Sequence, residues 1–380
     1  MISFSAPTIW SNDLLDYYAS LPVHEVFGSL PFGPVGSGRA MFTLPKVDKR
    51  RAEEHIAYAR TRGIAFNYIL NAPCLGNMEF DAITHRKLID YLSWIESTGA
   101  ESVTVTIPYL IRIIKEQFPR LRVKISVIAG VNNVQALRAF ERLGADEINI
   151  DYMSNRDFGS LAVLRDTASV DLTLLANDLC LYHCPYRQYH YNLVGHSTQE
   201  NHFLDGAYFD FCMISCTIDK YSRPEEIIRA RWIRPEDLSR YGALGFTRFK
   251  LSGRNMSSEW LRRMVGAYAT RSYNGNLADL LSGTSFDARG TVHYYIDNKA
   301  LDGFLDHFSD LQSCSTSCVS CGYCKQVADR VITFTPGKSK LFLNSCRMLL
   351  EGLSNGTVFE QLRQIIPDPA NKVLHRKIKS

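Results

Sequence analysis

Short apolar runs alternate with amphipathic segments along most of the chain. HEVFGSLP at 24–31, AFNYILNAP at 65–73 and SVTVTIP at 102–108 predict three strands. VKISVIAGV at 123–131, EINIDY at 147–152 and DLTLLAND at 171–178 predict three more. The segments between them, at 49–63, 82–98, 109–118, 133–143 and 156–167, carry the spacing of helices. Strand, helix, strand in regular succession points to parallel β-α units. YFDFCMISC at 208–216 reads as a seventh strand and FTRFKLSGR at 246–254 as an eighth, with helices at 232–245 and 256–271. Eight such units predict a TIM-type (β/α)8 barrel, with an open doubly wound sheet as the alternative. A barrel places its active site at the C-terminal ends of the strands.

The chain has 380 residues, long for one compact domain unless that domain is an α/β barrel. The expected division is a barrel with a metal site over 1–285 and a small cysteine-rich segment over 286–380. In the second part, 291–308 predicts a short strand and a helix, 325–332 a helix, and 341–353 an amphipathic helix that can dock on the barrel. The net charge of +4 is mildly basic, and the basic tail at 375–380 reads as a solvated end. A nucleic-acid partner is permitted but not demanded. The first residues lack the pattern of a signal peptide, and no apolar run is long enough to cross a bilayer. These features predict a cytoplasmic protein with no membrane partner.

The candidate chemistry concentrates at 177–216. Cys180 and Cys184 form one pair, Cys212 and Cys216 a second, and His183, His190, His196 and His202 lie among them. Four thiolates in two close pairs can surround one soft metal centre, either an iron–sulfur cubane or a tetrahedral zinc. A second set, Cys314, Cys318, Cys321 and Cys324, falls in one short run after the barrel. It reads as a ferredoxin-like cluster or a zinc knot, separable from the barrel and able to feed it electrons. The cofactor expectation is therefore two 4Fe–4S clusters, with zinc as the alternative at one or both sites. Cys346 reads as core, and Cys74 as packing near the barrel mouth.

Other candidates are single residues. Gly33, Gly36 and Gly38 with Arg39 form a loop whose N–H groups could cradle a phosphate or carboxylate. Glu25, Asn71 and Asp151 lie on or just after strands, at or near the expected active face. His190 is the candidate acid–base group in the polar, aromatic run after Cys184. The assignments are thus His190, Asp151 and Glu25 as catalytic, and Arg39 and Asn71 as cofactor-binding.

The cysteine stretch and RPEDLSRYGALGFTRFKLSGRNMSSEWLRRMVGAY at 234–268 resemble the collagenase-like peptidase superfamily. EVFGSLPFGPVGSGR at 25–39 and YILNAP at 68–73 are also similar, and the resemblance covers roughly 20–275. In the usual peptidase-like pattern, His-Gly-Ala precedes a cysteine; here Asp210 and Phe211 precede Cys212. Members with assigned chemistry hold an iron–sulfur cluster in the barrel and act as oxygen-independent hydroxylases in ubiquinone biosynthesis or on RNA. The resemblance implies that Cys180, Cys184, Cys212 and Cys216 are cluster ligands. The expected function is an iron–sulfur oxidoreductase acting on a small metabolite, peptide or RNA, with a redox partner or a hetero-oligomer open. A peptidase and an iron–sulfur electron-transfer or redox-sensing protein are the alternatives.

Overall fold

The computed structural model describes residues 1–200, 202, 206, 208–284, 290–309, 314 and 318–357. Eight parallel strands close into a barrel: β1 (Ser3–Pro7), β2 (Val23–Gly28), β3 (Ala65–Leu70), β4 (Ser102–Val105), β5 (Arg122–Ile125), β6 (Glu147–Ile150), β7 (Asp171–Leu175) and β8 (Arg248–Lys250). β8 pairs back onto β1 through Ser3, Phe4 and Ser5, which completes the ring. Helices α1 (Asn12–Ala19), α2 (Lys49–Thr61), α3 (Ala82–Ser97), α4 (Pro108–Gln117), α5 (Val134–Arg142) and α6 (Phe158–Thr167) occupy the crossovers. α7 (Arg187–His196), α8 (Phe211–Ser222), α9 (Glu225–Arg229) and α10 (Leu238–Ala243) lie between β7 and β8, and α11 (Ser258–Thr270) follows. Asp48, Asp81, Asn133, Asp157 and Ser257 each accept a backbone N–H as helix caps. The TIM-type barrel expected from the sequence is the observed fold.

One strand differs. Residues 208–216 do not form a strand; α8 begins at Phe211, with Asp210 accepting from Met213 N–H. Its buried positions Cys212, Ser215, Lys220 and Tyr221 follow helical spacing. A short apolar run carries no period of its own, so the 3.6-residue spacing further along decides. The eighth strand is instead β1, five residues ending at Pro7, too short to stand out in the sequence.

The barrel interior is polar. Lys124 lies between two carboxylates, 2.5 Å from Glu25 Oε2 and 2.8 Å from Glu147 Oε2. All three are buried. Ser5 and Asn67 donate to Glu25 Oε1 at 2.7 and 3.2 Å. Thr173 donates to Glu147 Oε1 at 2.8 Å, and Arg248 reaches Glu147 Oε2 at 3.1 Å. The inward positions of seven strands thus satisfy one another.

After the barrel, β9 (Tyr294–Ile296) pairs antiparallel with β10 (Ile332–Phe334). Helices α12 (Asp306–Ser309), α13 (Cys318–Cys321), α14 (Tyr323–Val331) and α15 (Lys338–Ser354) complete the described chain. α14 packs on α9, and α15 packs on α8. Tyr221 of α8 meets the rings of Tyr294, Phe334 and Phe342, so the C-terminal segment clamps this helix. The basic tail at 375–380 lies outside the described residues. Among the described residues no helix is long and apolar enough to cross a membrane.

The ion triad gives a stability prediction. Burial alone would push the Glu25 carboxyl up, but Lys124 and the hydrogen bonds hold it well below the usual carboxylate range. Its contribution is present above the unfolded carboxyl pKa and is lost as pH falls towards the folded value. Lys124→Met strands two buried carboxylates and should lower unfolding free energy by about 3–5 kcal/mol near neutral pH. Urea unfolding from pH 7 to pH 3 should show the difference shrinking as the carboxyls protonate. A constant difference would contradict the triad's role.

Candidate functional site at the barrel mouth

The C-terminal ends of the strands gather thiols, guanidiniums and hydroxyls in one region. Cys180 and Cys184 lie in the loop after β7, and Cys212 and Cys216 lie one turn apart on α8. The Cys180 and Cys184 thiols lie close enough to interact directly. Cys184 is within electrostatic reach of Cys212 and Cys216, and Cys216 is within reach of Cys180. The four predicted barrel thiols therefore come together, although they belong to two segments. The Tyr152 hydroxyl, which bonds the Tyr191 hydroxyl at 3.1 Å, is close to Cys180, and the Tyr186 N–H is close to Cys184. Burial pushes the Cys212 thiol up to about 12 and the Cys216 thiol up to about 11. None of the described cysteines forms a disulfide. Among the described residues no group of three or more His, Cys, Asp and Glu is set to hold a metal ion as it stands. The thiols converge without closing.

The other sequence candidates have specific partners. Asp151, just after β6, receives both Nη atoms of Arg187 at 2.8 and 2.9 Å. Arg187 also lies over the Tyr152 ring. His190 Nε2 is 3.3 Å from Asp210, the residue that caps α8. Asn71 accepts from Gly38 N–H at 2.8 Å and donates to Ser126 at 3.1 Å. Glu25 lies inside the barrel on Lys124, while His190, Asp151 and Asn71 are in the loops above. The glycine-rich loop is pinned: Gly33 N–H donates to Thr198 O, and Ser37 N–H to Thr198 Oγ1. With Gly38 bound to Asn71, these N–H groups are spent within the protein.

Of the cations of the mouth the sequence reading named Arg39 but missed Arg254 and Lys250. Arg254, after β8, is only 6% exposed and pairs with no carboxylate among the described residues. Its guanidinium donates to Ser29 Oγ at 2.6 Å. Burial and the nearby Arg39 push Arg254 down to about 9. Arg39 bonds Ser282 Oγ at 3.2 Å and likewise has no ion pair among the described residues. Lys250 lies over the Phe27 ring at 4.2 Å, and burial brings it down to about 8. Burial holds the carboxyl of Asp178 up, against the pull of Arg39 and Lys220. Buried guanidinium charge with no carboxylate at hydrogen-bond distance is charge that an anionic group can balance. The one available signal was the alternation of Arg248, Lys250 and Arg254 along and beyond β8.

The fold and this mouth define a TIM-barrel protein with a thiol-lined, cationic site above its strands. A sequence profile described as peptidase family U32 matches residues 40–151. A relative from Methanocaldococcus jannaschii, described as an uncharacterized protease, is 34% identical over 304 residues, covering 78% of this chain and 86% of its own. The chain belongs to peptidase family U32. A solved U32 peptidase shares the fold with a TM-score of 0.51 at 19% identity, covering 67% of this chain and 93% of its own.

The unpaired Arg254 can be tested without knowing the substrate. Removing an uncompensated buried charge should stabilise the ligand-free protein, so Arg254→Gln should raise its unfolding free energy by about 1 kcal/mol. Phosphate or malonate should raise the melting temperature of the wild type and leave the variant unmoved. A variant less stable than wild type that still responds to both anions would show Arg254 to be structural.

Proposed function

We propose that the protein is an iron–sulfur redox enzyme that acts on a substrate carrying a carboxylate or phosphate. The observation that carries this reading is the convergence of Cys180, Cys184, Cys212 and Cys216 at the barrel mouth. A cubane spreads its thiolates further apart than a single ion does, which suits thiols that converge without closing on one point. Zinc on the same thiols is the alternative cofactor. When bound, the cluster supplies one-electron chemistry. The chain's own groups supply the rest. Tyr152 and the Tyr186 N–H, which are already close to sulfur, would set its potential. Arg254 and Arg39 would bind and orient the anionic group, and the apolar wall of Phe27 would exclude water. His190, oriented by Asp210 at the start of the helix that carries Cys212 and Cys216, would carry the proton. A small metabolite, a peptide or an RNA can each present the required anion, and reduction calls for a redox partner.

A peptidase is the second reading, and the family and the description of the archaeal relative favour it. A cysteine peptidase needs a thiol hydrogen-bonded to an imidazole. Among the described residues no hydrogen bond joins a barrel thiol to a histidine, and His190 is directed at Asp210 instead.

One preparation separates the two. Protein purified without oxygen should contain iron and acid-labile sulfide, and Cys180→Ala or Cys216→Ala should remove about four irons per chain. Metal-free protein should not hydrolyse peptides. Peptide hydrolysis that survives metal removal, and is lost in Cys184→Ala, would replace the redox reading with the peptidase.

A further inference from the structure

Outside the barrel mouth, a cleft of about 60 Å³ is lined by Cys314, Cys318, Cys321, Cys324 and His307. Cys321 Sγ is 3.4 Å from His307 Nε2. The His307 ring is stacked on Tyr323 at 3.8 Å, and the Tyr323 hydroxyl is tied to Phe304 O at 3.0 Å, so the imidazole is held in orientation. His307 precedes Cys314 by seven residues and Cys321 by fourteen, and the fold brings it to the thiols.

A second observation is independent of the thiols. Arg156 and Arg231 are 2% and 3% exposed, and neither pairs with a carboxylate among the described residues. Arg156 donates to the carbonyl of Ile228 at 2.5 Å and lies over the Trp232 ring. Arg231 lies over the Tyr182 ring at 3.6 Å, and its Nε has no hydrogen-bond partner. Both are within electrostatic reach of Cys324. Two neighbouring buried guanidiniums need negative charge, and neutral thiols do not supply it. Thiolates on a metal do.

We propose that Cys314, Cys318, Cys321 and Cys324, with His307, hold a second thiolate-bound metal centre, and that Arg156 and Arg231 balance its negative charge. The ligand class is a soft metal, as zinc or as an iron–sulfur cluster. The centre is distinct from the barrel thiols but stands close behind them, because Arg231 touches Tyr182 in the loop between Cys180 and Cys184. The proposal goes beyond the barrel reading and does not depend on it.

The test uses full-length, reduced, metal-free protein with Cys180→Ser and Cys216→Ser, and cobalt(II) as the probe. Circular dichroism checks the fold. About one equivalent of cobalt should bind with thiolate-to-metal charge-transfer absorption. Adding Cys314→Ser and Cys324→Ser should abolish that absorption. His307→Gln should weaken binding by roughly tenfold or more and shift the ligand-field bands. A parallel loading with ferrous iron and sulfide identifies the native form: labile sulfide retained on the protein marks a cluster, and zinc displacing cobalt without sulfide uptake marks a single ion. A folded barrel-thiol variant that shows no cobalt charge transfer and takes up no iron and sulfide would overturn the proposal. Unchanged affinity and spectrum in His307→Gln would remove the histidine from the centre.

Discussion

Lys124 lies buried between Glu25 and Glu147, and the barrel is built around that constraint. A buried ammonium is tolerated only with close, well-bonded counter-charge. The two carboxylates need donors in turn, which Ser5, Asn67, Thr173 and Arg248 provide. These residues come from β1, β2, β3, β5, β6, β7 and β8, so one network fixes the mutual register of nearly the whole ring. A one-residue slip in any of these strands would turn a partner outward and strand a charge.

The floor of the barrel is balanced, two acids against Lys124 and Arg248, and the mouth is not. Above the triad, Lys250, Arg254 and Arg39 bring positive charge, with Asp178 within electrostatic reach of Arg39. The thiols enter on the β7 side, from the loop and from α8. That helix is held from behind by the C-terminal segment, through the ring cluster at Tyr221 and the packing of α15. The second set of thiols sits in the same segment, beside buried arginines of its own. The two halves of the described chain therefore share both a core and a pattern: thiols next to cations that lack acids.

The barrel was legible because β-α alternation is local and repeats, and because Cys180, Cys184, Cys212 and Cys216 are paired in the sequence itself. The helical state of 211–222 was not, since its first residues are an apolar run and its cap, Asp210, reads equally well as a loop residue. β1 was lost because five residues ending in Pro7 carry too little pattern. The single-residue candidates fared by their partners. Glu25 lies within β2 and Asp151 just after β6, and nothing local announces Lys124 and Arg187 as their counter-charges. Arg254, Arg156 and Arg231 could not be singled out at all: what marks them is an acid that is missing in three dimensions, a property no stretch of sequence displays.

The central claim is that the four barrel thiols hold an iron–sulfur cluster in a substrate-binding mouth. The most direct measurement is a crystal structure of protein purified and crystallised without oxygen, with anomalous data collected at the iron and zinc edges. The account predicts iron anomalous density bounded by the sulfurs of Cys180, Cys184, Cys212 and Cys216, opening towards Arg254 and Arg39. Zinc density alone at that position, or four thiols turned away from one another with no metal between them, would contradict it.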